Sequence, residues 1–177
     1  MIPKSGNRFS DKIMRKQIVI RRLFVLMIAI VALVAPLTAQ ARDMVQFPGY
    51  EPGTIVVATS ARQLFYVLGN GQAIRYPVGV GRDGMAWHGQ AYVAKKYLRP
   101  AWSANPGVTP TIPGGSPRNP MGAAALGLDR GNYAIHGTND PASIGGFVSH
   151  GCIRMYNADI MDLYARVPVG AKVAVVP

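Results

Sequence analysis

Gly53-Thr54-Ile55-Val56-Val57-Ala58-Thr59, Arg62-Gln63-Leu64-Phe65-Tyr66-Val67-Leu68 and Ala73-Ile74-Arg75-Tyr76-Pro77-Val78-Gly79-Val80 follow one another with only short breaks. β-Branched and aromatic residues, which suit the pleated surface of a sheet, dominate all three runs. Between the second and third, Gly69-Asn70-Gly71 supplies residues that tolerate positive φ, as a tight hairpin turn requires. The stretch predicts a meander of three strands and sets the fold class as mostly β.

Working outward, Gly79, Gly81 and Gly84 make the next segment loop-like, and Ala91 to Ala94 returns to an extended pattern. Six prolines and three glycines between Pro100 and Pro120 deny a sheet its backbone donors, so this segment is expected as a long ordered loop or cap. Tyr133-Ala134-Ile135 reads as a short strand that delivers His136. Ile160, Leu163, Tyr164 and Val167 recur at helical spacing and predict one helix over Ala158 to Val167, with Asn157 as its N-cap and Pro168 and Gly170 as its stop. Ala171 to Val176 reads as a closing strand.

The 177 residues carry a formal charge of +11, unevenly placed. Residues 1–41 hold seven basic side chains and one acid, so +6 sits there and only +5 is spread over the rest. Without a basic run in the remainder, nucleic-acid binding is not expected. The basic start ends at Arg21-Arg22 and is followed by mostly apolar Leu23 to Leu37 and then Ala39-Gln40-Ala41, a small-x-small pattern. Residues 1–41 are therefore expected as an export signal peptide or an uncleaved anchor, the chain's one route to a membrane, and residues 42–53 as a short linker. That places the protein in the periplasm or cell envelope. The Arg21-Arg22 pair leaves the export route open between a general and a twin-arginine signal.

Chemistry concentrates at Ile135-His136-Gly137-Thr138-Asn139 and Ser149-His150-Gly151-Cys152-Ile153-Arg154, where two of the three histidines and the only cysteine lie close in sequence. A thiol becomes a nucleophile when a base or nearby positive charge favours thiolate. Arg154 offers the charge, and either histidine offers the imidazole. His150 lies two residues from Cys152 and faces the same way in an extended segment. His136 arrives from another strand, and the carbonyl of Gly137 is placed to fix its tautomer. Gly151 permits a sharp turn that would aim consecutive N–H groups near Cys152 as an oxyanion hole. A zinc site from His136, His150 and Cys152 is the chemical alternative, without an evident fourth ligand.

These two strings, with twelve residues between His136 and Ser149, resemble the YkuD-type L,D-transpeptidase catalytic domain. The resemblance runs from about Thr54 to Val176 and includes Tyr76-Pro77-Val78-Gly79-Val80-Gly81 and the Asn119-Pro120-Met121-Gly122 turn, so residues 54–177 are expected as that domain. It implies a β-sandwich-like mixed sheet with a small helix, Cys152 as nucleophile and His136 as base. Ser149, His150, Gly151, Arg154 and Gly137 then shape the site, bind substrate or stabilise the oxyanion. The implied substrates are peptidoglycan stem peptides, with a wall-attached lipoprotein as a further acceptor, and no cofactor or metal is required. Many members carry Thr-Pro and then Gly where this chain has Met85-Ala86-Trp87-His88-Gly89, so Trp87 and His88 are open between packing and substrate contact. The length leaves no room for the wall-binding module that often accompanies the domain. A sortase-like or papain-like cysteine peptidase and a silent wall-binding module are the rival readings.

Overall fold

The computed structural model describes residues 43–177; the expected leader, residues 1–41, lies outside the described residues. Alternation in the opening meander sorts its side chains onto two faces. Strands β2 (Ile55–Ala58), β3 (Gln63–Gly69) and β4 (Gln72–Pro77) pair antiparallel, as the turn residues predict. Ile55, Val57, Leu64, Ile74 and Tyr76 point into the main core, while Val56 and Val67 pack on the other face under Phe47 and Phe65. This is the period-two pattern of strands covered on both sides.

The segment expected as a linker contributes a strand of its own. In β1 (Asp43–Gln46), residues pair antiparallel with β4, and Asp43 forms an ion pair with Arg75. Its side chains are mostly exposed, so no buried pattern marks it in the sequence. The third predicted strand also ends sooner than expected: β4 stops at Pro77, and Val80–Gly81 forms a separate short strand, β5.

Strand β6 (Gly89–Leu98) is longer than the predicted Ala91 to Ala94. It pairs antiparallel with β7 (Ala124–Leu128), which pairs antiparallel with β8 (Ala134–His136). A 3₁₀ turn at Pro141–Ser143 leads to β9 (Phe147–Ser149), which lies parallel to β5, and β10 (Ile153–Arg154) lies parallel to β8. The final strand, β11 (Lys172–Val176), runs parallel to β2 and antiparallel to β6. The large sheet thus reads β1-β4-β3-β2-β11-β6-β7-β8-β10, a mixed sheet of nine strands, with β5-β9 as a second small sheet. Among the described residues the fold is mostly β with one α-helix, as expected.

That helix, α1 (Asn157–Arg166), lies one residue from its predicted bounds. Ile160 and Leu163 are fully buried in the core shared with β7, β8 and β10. Truncating either to alanine costs about 2–5 kcal/mol, the range for buried aliphatic side chains. Asn157 is not the cap: Tyr156 occupies that position without a side-chain bond. Its amide serves the site instead, as described below.

Candidate active site

His136 ends β8, and its imidazole is buried, with 4% of its surface exposed. The Nδ1 atom lies 2.6 Å from the carbonyl oxygen of Gly137. A carbonyl only accepts, so Nδ1 carries the proton and the lone pair of the neutral ring resides on Nε2. Burial pushes the imidazole's pKa down to about 4, with the Arg154 charge acting in the same direction and the carbonyls of Gly137 and Pro120 opposing it. The ring is therefore neutral at pH 7, in the form a general base needs.

Parallel pairing brings the second string alongside. Ile153 sits opposite Ile135 and Arg154 opposite His136. Arg154 and His136 therefore share one face of the β8-β10 pair, and alternation continued to Cys152, the residue just before β10, turns the thiol to that same face. The half-buried Cys152 Sγ lies 3.9 Å from the carbonyl of Asn132. Burial pushes the thiol's pKa up, while the Ala134 amide and the Arg154 charge pull it down. Both shifts favour the uncharged forms, thiol at Cys152 and imidazole at His136. Backbone bonds in both directions between Arg154 and Gly79 fix β10 from its other side. The Arg154 Nε is buried and has no partner among the described residues.

The turn before the thiol is tied internally. Buried Ser149 donates from Oγ to the Cys152 carbonyl at 2.5 Å and accepts the Gly151 N–H at 3.1 Å. This corrects the expectation of consecutive free amides: the Gly151 N–H is taken, leaving that of Cys152, which bonds no described residue. Gly151 has φ +119, and a Cβ there would land in the Tyr133 ring. Trp87 stacks on that ring, with centroids 5.4 Å apart, and donates from its indole to the Gly151 carbonyl at 2.9 Å. Trp87 is therefore a buried support for the thiol's turn, whereas His88 is exposed. His150 is exposed and turned to Arg82, with its Nε2 2.7 Å from the guanidinium. Among the described residues no group of three or more His, Cys, Asp or Glu side chains is gathered to hold a metal, so the zinc arrangement does not form.

Sequence reasoning found the thiol and both histidines but missed their supports. Asn157 Oδ1 accepts the N–H groups of Ala123 and Thr138, and its Nδ2 donates to the Thr138 carbonyl. Gly122 and Gly137 press against that amide so closely that a Cβ on either would strike it. Asn119 donates to the carbonyls of Pro100, Ile112 and Pro113 and accepts from Met121, holding the proline-rich loop. For Asn119 a signal was available, since an asparagine in a proline-rich turn bonds backbone groups by habit; Asn157, between Tyr156 and Ala158 at a helix start, reads only as a cap.

Residues 52–175 match the family described as YkuD, L,D-transpeptidase catalytic domain, and the chain belongs to that family. YqjB of Bacillus subtilis (strain 168), which carries an L,D-transpeptidase name, is 36% identical over 127 residues, covering 68% of this chain and 69% of that protein. YbiS of Escherichia coli (strain K12), similarly named, is 36% identical over 136 residues, covering 68% of this chain but 43% of its own length. An Enterococcus faecium L,D-transpeptidase of solved structure shares the fold at a TM-score of 0.58 and 20% identity, covering 71% of this chain and 50% of that one. The chain thus spans half or less of the last two. No helix among the described residues is long and apolar enough to cross a membrane.

Proposed function

We propose that the protein acts in the cell envelope as a cysteine acyltransferase on tetrapeptide stems of peptidoglycan. The observation that carries this reading is the imidazole of His136, locked by Gly137 into the tautomer that frees Nε2, on the same strand-pair face as Cys152. Cys152 Sγ attacks the carbonyl carbon of the stem's third residue as His136 takes the thiol proton. The resulting oxyanion is met by the Cys152 N–H, with the Arg154 charge beside it; stabilising charge in this way commonly lowers the acyl-transfer barrier more than any other single effect. The C–N bond to the terminal D-alanine then breaks, and His136 returns its proton to the leaving amine. A thioester remains on Cys152. An amine of a second stem attacks it, His136 removes the amine's proton, and Cys152 leaves and regains a proton as thiol. The product is a 3→3 cross-link; a lysine of a wall-attached lipoprotein or water are the other acceptors, water giving carboxypeptidase activity. Ser149, Gly151, Gly137 and Trp87 hold this geometry, and exposed His150 lines the approach.

The test is mass spectrometry of muropeptides after incubating purified protein with wall sacculi. We expect 3→3 linked dimers or tripeptides and released D-alanine, all lost in a folded Cys152→Ala variant. His136→Ala is expected to lose about 10²–10⁴-fold in rate, the usual contribution of a positioned base, and His150→Ala far less. A carbapenem presents a strained carbonyl to the same thiol, so one added drug mass on wild type and none on Cys152→Ala is the companion result. Sacculi left unchanged by well-folded wild type, with the thiol shown free by alkylation, defeat the reading.

A further inference from the structure

A second feature of the fold begins two residues beyond the proposed base. An open cleft of about 560 Å³ is lined by Arg99, Ser116, Asn119, Thr138, Asn139 and Asn157, among others. One wall is the proline-rich loop held by Asn119; the other is Thr138-Asn139, the direct continuation of His136-Gly137. Among the described lining residues Arg99 is the only charged one, and the remainder are amides, hydroxyls, prolines, glycines and alanine. No carboxylate is among the lining residues, though Asp140 stands between the lining residues Asn139 and Pro141. Three arginines of the described chain are tied by polar contacts, Arg75 to Asp43, Arg166 to Asp162 and Arg82 to His150, and Arg62 and Arg130 lie over the rings of Phe147 and Trp87. Arg99 has no side-chain hydrogen bond or ion pair to any described residue.

The backbone at this arginine is also unusual. Arg99 has φ +45, in the left-handed region that a non-glycine residue enters only at a cost. Its neighbours hold it there: its N–H donates to the Ala123 carbonyl at 2.9 Å, and Gly114 fits so tightly against its carbonyl that no side chain is admitted. The Arg99 Cδ lies 3.6 Å from where a Cβ of Gly115 would stand, so the stem of the side chain runs along the Gly114-Gly115 edge of the cleft. Strain that the surroundings impose at a cleft wall is a mark of a functional position.

We propose that Arg99 is a specificity-determining residue that binds a carboxylate of the stem peptide in this cleft. The proposal rests on the transpeptidase reading above. Guanidinium matches carboxylate in planar, two-point geometry, and the exposed amides and hydroxyls beside it suit a peptide backbone. Two carboxylates near the reacting groups present this chemistry: the C-terminus of the D-alanine that leaves the donor, and, on an acceptor whose attacking amine belongs to a diamino acid at the third position of the stem, the free carboxyl of that residue.

The experiment uses the purified full chain with Arg99→Gln, Arg99→Lys and Arg99→Gly, the last relieving the positive φ so that a folded, uncharged variant is secured. One arm measures D-alanine release from a tetrapeptide stem with a free C-terminus and from its C-terminal carboxamide, with water as acceptor. The other measures transfer to acceptor stems whose diamino-acid carboxyl is free or amidated. In one arm, loss of the charge is expected to raise KM for the free carboxylate about tenfold, the effect of one charge-assisted pair, with kcat within about twofold. The amidated substrate is expected to show that higher KM already with wild type and no further change in the variants, and Arg99→Lys to recover part of the loss. The arm that responds identifies the carboxylate. Normal D-alanine release with unchanged KM in both arms for Arg99→Gly overturns the inference alone. No D-alanine release by wild type overturns both it and the transpeptidase reading.

Discussion

Burial of His136 couples chemistry to stability at a single side chain. Its folded pKa of about 4 lies below the 6.5 of an unfolded chain, so between those values the unfolded state takes up a proton that the fold refuses. The stability owed to the neutral ring is complete above pH 6.5 and declines as pH falls toward 4, by about 3 kcal/mol in all. Denaturant unfolding of wild type and His136→Gln across pH 4–7.5 is expected to show this slope in wild type and a shallower one in the variant. The raised thiol pKa makes a kinetic prediction: alkylation of resting Cys152 by iodoacetamide is slow at pH 7 and quickens with pH through 9. A fast, pH-independent reaction there would mean a standing thiolate instead. Gly151→Ala drives a methyl into the Tyr133 ring at a positive φ, and is expected to abolish activity and lower stability by more than about 1 kcal/mol, the scale of such strain, in a thermal melt read beside turnover. Cys152, His136, Gly137 and Arg154 are legible in the sequence because their types announce their chemistry. Tyr133 and Arg99 are not, since an aromatic in a strand and an arginine at a loop's edge carry no meaning until the chain folds.

Strands and the helix are legible where residues of high intrinsic propensity coincide with burial, and burial alone does not suffice. The β2-β3-β4 meander stands out because both faces carry β-branched or aromatic residues. Strand β7 escapes because Ala124-Ala125-Leu126-Gly127-Leu128 is poor in β formers; neighbours on both sides impose its conformation. Strand β6 reads short because most of its side chains are exposed, with Ala91 and Val93 the two that mark the core face. One of its lysines also finishes α1: Lys96 Nζ donates to the carbonyls of Tyr164 and Val167 at 2.7 and 2.6 Å and lies over the Tyr164 ring. A cation at these carbonyls suits the negative end of the helix. Lys96→Met keeps the aliphatic stem and is expected to cost about 1–3 kcal/mol, the range for bonds to a charged donor, without changing the rate per folded molecule. Chemical denaturation with activity measured at low denaturant checks both parts.

Across the whole described chain, the strand that joins the two halves of the large sheet is the last in sequence. β11 lies between β2, the first strand of the meander, and β6, the first strand of the half that carries His136 and Cys152. Contacts between such distant segments make folding slow, because the connecting loop must be ordered before pairing repays it. Deleting residues 172–177 is expected to abolish cooperative unfolding, read by near-ultraviolet circular dichroism, whereas deleting β1 at the exposed edge leaves a cooperative fold. The resemblance supplies this sheet as a whole, but the sequence alone does not place β11, since Lys172-Val173-Ala174-Val175-Val176 fits an edge as well as a centre. A consequence reaches beyond stability. Translation proceeds from the meander toward β11, so a polypeptide that stalls or is clipped before residue 172 holds two unjoined half-sheets. The segment that carries His136 and Cys152 is thereby joined to the meander only once residues 172–176 have been made.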